Sequence, residues 1–327
     1  VRGNALGDMS AAGDGTHRAI LVANTGGHLA QLVQLREKLD LQGEPLWITF
    51  DHPQSRSLLA YAENVVYMPY VASRDWRAAI KVLPRALRVM SRAEYDIVVS
   101  TGAALAVPVF IAAIFKGIRP VYIESVSRFE GPSLTGRLVS WLPGVQLFCQ
   151  QPTWAGGRWT LGPSVLDDFS THQESVPEQK ALRIFVTLGT IQPYRFDRLV
   201  DMVLEHFGTD HDFVWQLGVT GRSDLPGKVH ETLPVEDMDR NIVNADVIVS
   251  HAGVGMALSI LRLGKMPILV PRLAAQHEHV DDHQLQIAKE LERRGLAVPV
   301  TPRRPLTTAA VEFVRSITVT STGAPVL

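Results

Sequence analysis

Residues 249–284 limit the fold more tightly than any other part of the chain. Residues 246–249 read as a short apolar strand, His251-Ala252-Gly253-Val254-Gly255 as a glycine turn, and the positions after it as a helix. A second strand is expected over 267–270, then a polar loop and another helix. Strands that feed helices through glycine turns, one after another, build a parallel sheet covered on both faces. Gly253 and Gly255 are expected to turn the backbone tightly and to admit a ligand to main-chain N–H groups at a helix start. Unpaired donors and the helix dipole favour anions there.

The loop after the second strand adds Gln276, His277, Glu278, His279, Asp281, Asp282, His283 and Gln284 beside that anion site. Phosphate-binding amides next to a dense polar loop suit a ligand with a phosphate and a polyhydroxylated end, which is the shape of a nucleotide sugar. His251-Ala-Gly-Val-Gly255, Leu261-Arg-Leu-Gly-Lys265, Val270-Pro271 and His283-Gln284 together resemble the donor-binding half of family 28 glycosyltransferases. The nearest pattern is that of bacterial and eukaryotic enzymes acting on polyprenyl-diphosphate acceptors, and it covers most of 181–295. At the position where that family usually carries a ribose-binding Glu, this chain has Ser259. The resemblance implies donor contacts from His251, Gly253, Gly255, Ser259, His279, Asp282, His283 and Gln284.

A metal site is the competing reading of the same loop. His277-Glu-His279-Val-Asp281-Asp282-His283 approaches the HxHxDH cluster of metallo-hydrolases, and imidazoles with a carboxylate are good zinc ligands. One residue too many precedes the last His, however, and no histidine follows His283 to complete a binuclear set. Neither a metal nor another cofactor is therefore expected.

Length and charge fit the sugar-binding reading. The 327 residues suggest two domains of ordinary size. A hydrophobic content of 46% with 20% charged residues belongs to a globular chain with a large core, and a net charge of −1 gives no global reason to expect nucleic acid. The single cysteine, Cys149, excludes an intrachain disulfide and suits a reducing cytoplasm. Residues 1–17 read as a polar, disordered tail without the apolar core of a secretory signal. The longest apolar stretch, 102–115, is too short to span a bilayer.

Over 18–170 the same strand–turn–helix logic recurs. Residues 19–23 lead into Asn24-Thr25-Gly26-Gly27-His28, and further strands are expected over 46–50, 65–68, 96–100, 120–123 and 145–149. Ligands of such sheets bind at the carboxyl ends of the strands. By itself Gly26-Gly27-His28 is an ordinary tight turn. With Glu124-Ser125-Val-Ser-Arg128 and Pro132-Ser133-Leu-Thr135-Gly136 it resembles the acceptor-side half of the same glycosyltransferases. In the dolichol-pathway GlcNAc transferase and its bacterial relatives that half is often a separate, membrane-recruiting subunit, and here the two halves appear fused.

Residues 74–92 carry Arg74, Arg77, Lys81, Arg85, Arg88 and Arg92 at spacings of three or four, and Trp76, Ile80, Leu83, Leu87 and Met90 likewise. These sets fall on nearly opposite faces of one helix, which Pro84 should kink. Such a helix is either an ordinary surface helix or a basic stripe for anionic lipid headgroups or an acceptor diphosphate. The polar run 166–181 reads as a linker, with 171–181 as its centre. A donor domain follows over 182–327, opening on a strand and the Gly189-Thr190 turn, whose amides and hydroxyl could reach a diphosphate. Beyond the helix expected over 307–316 the chain reads as a loose polar tail.

The resemblance implies a GT-B architecture: two doubly wound, Rossmann-like domains facing each other across a cleft. It implies an inverting glycosyltransferase that moves a sugar from a UDP-sugar to a polyprenyl-diphosphate-linked glycan, working in the cytoplasm at the inner face of the membrane. The attacking hydroxyl must lose a proton, and His28 has the side chain best suited to take it, with Glu124 as its rival. Two other classes remain open: an NDP-sugar epimerase or hydrolase on the same fold, and a non-catalytic nucleotide-sugar-binding protein. The sugar, the linkage and the oligomeric state are not legible in the sequence.

Overall fold

Short runs of buried apolar residues, each followed by a glycine or polar turn and an amphipathic or apolar helix, set the architecture of both halves. The structure is a computed structural model. It describes residues 17–39, 41–71, 76–91, 93–177, 179–280 and 282–322, without the side chains of Trp76, Arg77 and Ala79. The chain divides into two compact units between Asp167 and Asp168. Residues 1–16 of the expected tail lie outside the described residues, as do Arg74, Arg92 and Asp281.

In the first unit the elements follow one another as β1 (Ala19–Val22), α1 (Gly27–Arg36), β2 (Leu46–Phe50), α2 (Pro53–Leu58), β3 (Val65–Met68) and α3 (Trp76–Val89). Then come β4 (Ile97–Ser100), α4 (Ala106–Lys116), β5 (Arg119–Ile123), α5 (Leu134–Ser140), β6 (Gln146–Cys149) and β7 (Trp159–Leu161). The strands form one parallel sheet in the order β3-β2-β1-β4-β5-β6-β7. Chain order reverses beside β1, so the crevice between the ends of β1 and β4 is the topological switch point. Ile20, Val22, Ile48, Phe50 and Val98 from the strands pack against Val82, Ala86, Val109 and Phe110 from α3 and α4. The apolar stretch 102–115 thus becomes a core helix.

One expectation for α3 needs correction. The helix continues through Pro84, but Ile80, assigned to the apolar face, is exposed together with Lys81, Arg85 and Arg88. Val82 and Ala86 face the core instead, one turn apart on the side away from the cations.

The second unit contains β8 (Phe169–Gln173), β9 (Arg183–Thr187), α6 (Asp197–Phe207), β10 (Asp212–Gln216), β11 (Lys228–His230), α7 (Val235–Asn244) and β12 (Val247–His251). It continues with α8 (Val254–Arg262), β13 (Ile268–Val270), α9 (His283–Arg293), β14 (Val298–Pro299), α10 (Thr308–Arg315) and β15 (Ile317–Ser321). Its parallel sheet has the order β11-β10-β9-β12-β13-β14, with the switch point between β9 and β12. The stretch read as a linker holds β8, which pairs antiparallel with β15 in the stretch read as a loose tail. β8 is polar and half-exposed, and the apolar face of β15 is limited to Ile317 and Val319, too short to mark a strand in sequence.

Candidate functional site

In the first unit the turn after β1 and the turn after β4 meet at the switch point. His28 is the second residue of α1, and its Nδ1 lies 2.8 Å from the carbonyl oxygen of Thr101. A carbonyl only accepts, so Nδ1 carries the proton and Nε2 keeps its lone pair. Thr101 closes the pairing by donating its hydroxyl to the His28 carbonyl at 2.7 Å. Gly102, at φ 115°, makes room: a Cβ there would lie 2.8 Å from the Tyr122 hydroxyl and 3.2 Å from the His28 ring. Burial pushes the imidazole pKa down, and the nearby Arg128 charge adds to this against the Thr101 bond. His28 is thus an uncharged base at neutral pH, held in one tautomer.

At the start of α1 the amides of Gly27 and His28 have no partner among the described residues, which leaves two donors for an anion. The Gly26 amide is not available, since it donates to Gln54 Oε1 at 2.7 Å.

Glu124 does not have the setting of a general base. Its carboxylate is 0% exposed and accepts from the Ser125 amide (3.0 Å), the Ser133 amide (2.8 Å), the Ser133 hydroxyl (3.0 Å) and the Tyr122 hydroxyl (3.3 Å). Burial raises its pKa, and the Ser133 and Ser125 donors pull the other way. The carboxylate fastens the loop before α5 to the end of β5. Gly136 sits against it because a Cβ there would collide with Oε2. Ser133 also caps α5, accepting from the Gly136 amide at 3.0 Å. Thr135 lies in the first turn of that helix, partly buried. The Arg128 charge acts on both Glu124 and His28, lowering the pKa of each.

In the second unit the turn after β9 and the turn after β12 converge in the same manner. Gly189, at φ 74°, and Gly253 lie on the His251 ring: a Cβ on Gly189 would come within 2.7 Å of Nε2, and one on Gly253 would collide with it. Gly253 itself has an extended backbone at φ −78°. Glycine is needed there to admit the ring, not to reach a special dihedral as the sequence suggested. Thr190 is exposed beside Gly189. At the start of α8 the amides of Val254, Gly255 and Met256 have no partner among the described residues, which leaves three donors of the kind an anion cradle requires. Burial and the neighbouring Arg272 charge push the His251 pKa to about 4. A hydrogen bond to the Thr187 backbone pulls the other way, and the ring is uncharged at neutral pH.

Ser259 lies on α8 but donates its hydroxyl to the Gly255 carbonyl at 3.0 Å. It can therefore accept from a ribose hydroxyl but has no proton left to offer. Asp282 is the N-cap residue of α9, and its Oδ1 accepts from the Ala274 amide at 2.9 Å, which folds the polar loop back on itself. His283 opens α9, partly buried. Gln284 is 8% exposed; its Oε1 accepts from the Arg272 amide at 3.1 Å, while its Nε2 has no partner among the described residues. His279 lies by Tyr194, with ring centroids 6.3 Å apart. Among the described residues no three His, Cys, Asp or Glu side chains form a group able to hold a metal.

The sequence reading missed the residues that tie these pieces together. Arg272, 1% exposed, donates through Nη2 to the Leu188 carbonyl at 2.7 Å and through Nη1 to the carbonyls of Tyr194 (3.0 Å) and Glu278 (3.1 Å). Arg198 grips Glu278 with Nε at 2.9 Å and Nη2 at 2.8 Å. The signal in sequence was slight: an Arg after Val270-Pro271, where an apolar strand has just ended.

Residues 183–313 match the glycosyltransferase family 28 C-terminal domain. The chain is 24% identical over 302 residues to a UDP-N-acetylglucosamine–N-acetylmuramyl-(pentapeptide) pyrophosphoryl-undecaprenol N-acetylglucosamine transferase of Shewanella loihica, covering 84% of this chain and 81% of that one. It resembles the crystal structure of MurG from Acinetobacter baumannii with a TM-score of 0.54 and 19% identity, over 90% of this chain and 89% of that one. A putative UDP-N-acetylglucosamine 2-epimerase from Listeria monocytogenes is as similar in fold, with a TM-score of 0.54 at 10% identity over 92% and 94% of the two chains. The architecture is that of the GT-B glycosyltransferases.

Proposed function

With a glycosyltransferase family 28 C-terminal domain as its second unit, we propose that the chain is an inverting transferase. It moves a sugar from a UDP-sugar to a polyprenyl-diphosphate-linked glycan. The observation that carries this reading is the α8 cradle: three unpaired amides at a helix start, beside a neutral His251 seated between two glycines. Negative charge builds on the departing UDP as the glycosidic bond breaks, and fixed N–H donors and a helix dipole stabilise it. Gly189, Thr190, Gly253 and Gly255 line the diphosphate side, while the free Nε2 of Gln284, with His279, Asp282 and His283, faces the sugar. Ser259 accepts from the ribose.

On the acceptor side, His28 Nε2 takes the proton of the attacking hydroxyl, and the amides of Gly27 and His28 with Arg128 hold the acceptor diphosphate. The second reading, an epimerase or hydrolase, is favoured by the Listeria likeness and separates cleanly by assay. A panel of UDP-sugars is incubated with and without a synthetic polyprenyl-diphosphate-sugar acceptor. Product that forms when acceptor is present supports the transferase. Turnover of UDP-sugar alone, at the same rate, sinks it.

The proposed site of work is the cytoplasmic face of a membrane. No helix among the described residues is long and apolar enough to cross one. Lys81, Arg85 and Arg88 are exposed on α3, and α4 packs between α3 and α5. Phe115 at the end of α4, Leu134 and Leu138 on α5 and Trp141 just after it are exposed, Trp141 at 88%, with Lys116 and Arg137 among them. Exposed apolar side chains ringed by cations suit an anionic bilayer surface.

A further inference from the structure

We infer that Arg272 is the positioning residue of the donor side, a buried cation whose counter-charge is the diphosphate of the bound donor. The inference rests on the donor reading of the second unit and extends it to a residue whose guanidinium bonds main-chain carbonyls.

Three separate pieces of the donor site hang on this one side chain. Its Nη2 bonds the carbonyl of Leu188, the residue before the Gly189-Thr190 turn. Its Nη1 holds the Tyr194 and Glu278 carbonyls, and its main-chain N–H holds Gln284 Oε1. The guanidinium also lies on the Phe196 ring, 4.5 Å from the centroid. Arginine suits this task because its planar fork reaches several acceptors at once, which a lysine ammonium on a flexible stem does not.

The charge is a separate matter. All side-chain acceptors of Arg272 are carbonyls, and among the described residues no carboxylate lies within ion-pair distance of it. Glu278, the acid of this cluster, is held by both Arg198 nitrogens and by the Leu273 amide at 2.9 Å. The one carboxylate of this cluster is thus taken by Arg198, and the Arg272 guanidinium is left as an excess positive charge. Carbonyl dipoles solvate a cation without cancelling its field, and an unpaired buried charge is costly. The field reaches the cradle: it is one of the causes that keep the His251 ring uncharged, and that ring abuts Gly189 and Gly253. A diphosphate arriving at the α8 amides completes the cluster.

Titration calorimetry on the full chain with three probes, UDP, uridine and inorganic pyrophosphate, separates charge from scaffolding. The unmodified protein is expected to bind UDP more tightly than uridine and to bind pyrophosphate. Arg272→Met should weaken UDP and pyrophosphate about tenfold or more, the scale of one nearby charge at an effective dielectric of about 20, and leave uridine within about twofold. Arg272→Lys should restore the preference for UDP over uridine while kcat stays low, because charge returns and the fork does not. Glu278→Gln, which removes the one negative charge, should raise that preference, and this variant decides the matter if Arg272→Met fails to fold. Parallel weakening of UDP and uridine in Arg272→Met, or an unchanged preference in Glu278→Gln, would overturn the charge role. Arg272-dependent pyrophosphate binding without UDP binding keeps the inference and removes the UDP-donor reading. Binding of neither by the unmodified protein removes both.

Discussion

Replacing His28 by Asn isolates the proton-accepting nitrogen from the anchoring one. The Asn amide N–H lies near the position of Nδ1, so it can still donate to the Thr101 carbonyl, now at 2.8 Å from His28. Nothing replaces Nε2. If His28 is the base, kcat should fall by about 10²–10⁴, the usual contribution of a positioned general base. The donor KM should move little, because the proposed donor contacts all belong to the second unit. The pH profile sharpens the test. Burial and Arg128 depress the His28 pKa below its ordinary 6.5, so the base stays unprotonated to lower pH than a free imidazole. The acid limb of kcat/KM for the unmodified enzyme should therefore bend below pH 6.5, and it should vanish with the activity in His28→Asn. Steady-state assays with a water-soluble acceptor between pH 5 and 8 measure both. A variant that keeps near-normal kcat, or keeps the acid limb, would refute the assignment and return His28 to the role of a turn residue.

Other substitutions probe the remaining assignments. Gln284→Glu keeps an acceptor for the Arg272 amide but removes the free N–H donor, so donor kcat/KM should fall about ten- to a hundredfold at unchanged stability; normal kinetics would remove Gln284 from the sugar contacts. Glu124→Gln puts an amide N–H against the donors of Ser125 and Ser133, so the urea midpoint should drop by the equivalent of about 1–3 kcal/mol; a variant of normal stability and no turnover would instead reinstate Glu124 as the base. For His251 the pKa of about 4 against an unfolded value near 6.5 sets a sign: between those values the unfolded chain holds a proton that the folded ring does not. Stability should be intact above pH 6.5 and fall by up to about 3 kcal/mol as pH drops to 4. Urea titrations at pH 7 and 4.5 should show a smaller difference in His251→Asn. Finally, the unmodified protein should sediment with anionic but not neutral vesicles and be released by high salt; Lys81→Gln/Arg85→Gln/Arg88→Gln should lose this salt-sensitive binding, whereas Trp141→Ala should weaken binding at all salt concentrations. Equal binding to neutral vesicles would assign the contact to the apolar side chains alone.

Most of the sheet strands were legible because each is a local pattern, whereas the short edge strands β7 and β14 were not expected. The runs behind β1, β2, β4, β9 and β12 are short, apolar and closed by glycine or polar turns, so periodicity marks them without knowledge of their partners. The pair β8 and β15 escaped because its stability comes from strand pairing across some 150 residues of chain, with the Ser170 and Thr320 hydroxyls 2.7 Å apart. β8 carries no apolar face that would reveal it, and that of β15 consists of Ile317 and Val319 alone. The exposed Leu134, Leu138 and Trp141 were equally hidden, because an apolar residue in sequence says nothing of which side of its helix finds a neighbour.

The two sites divide along the same line. Gly26-Gly27-His28 and Gly253-Val254-Gly255 stand out because the chemistry they supply, main-chain amides at a helix start, depends on neighbours one to three positions away. The roles of Glu124 and Arg272 depend instead on where distant segments arrive. A carboxylate at a strand's carboxyl end looks like a base until Ser133 is seen to occupy it. An arginine after β13 looks like surface charge until Leu188, Tyr194 and Glu278 are found turned toward it. The charge of a group is written in the sequence, whereas its availability is set by what is folded against it. The reactive residue is then the one left with an unused lone pair. In the first unit His28 keeps such a lone pair whereas the Glu124 oxygens are taken up, which is why we propose His28 as the base.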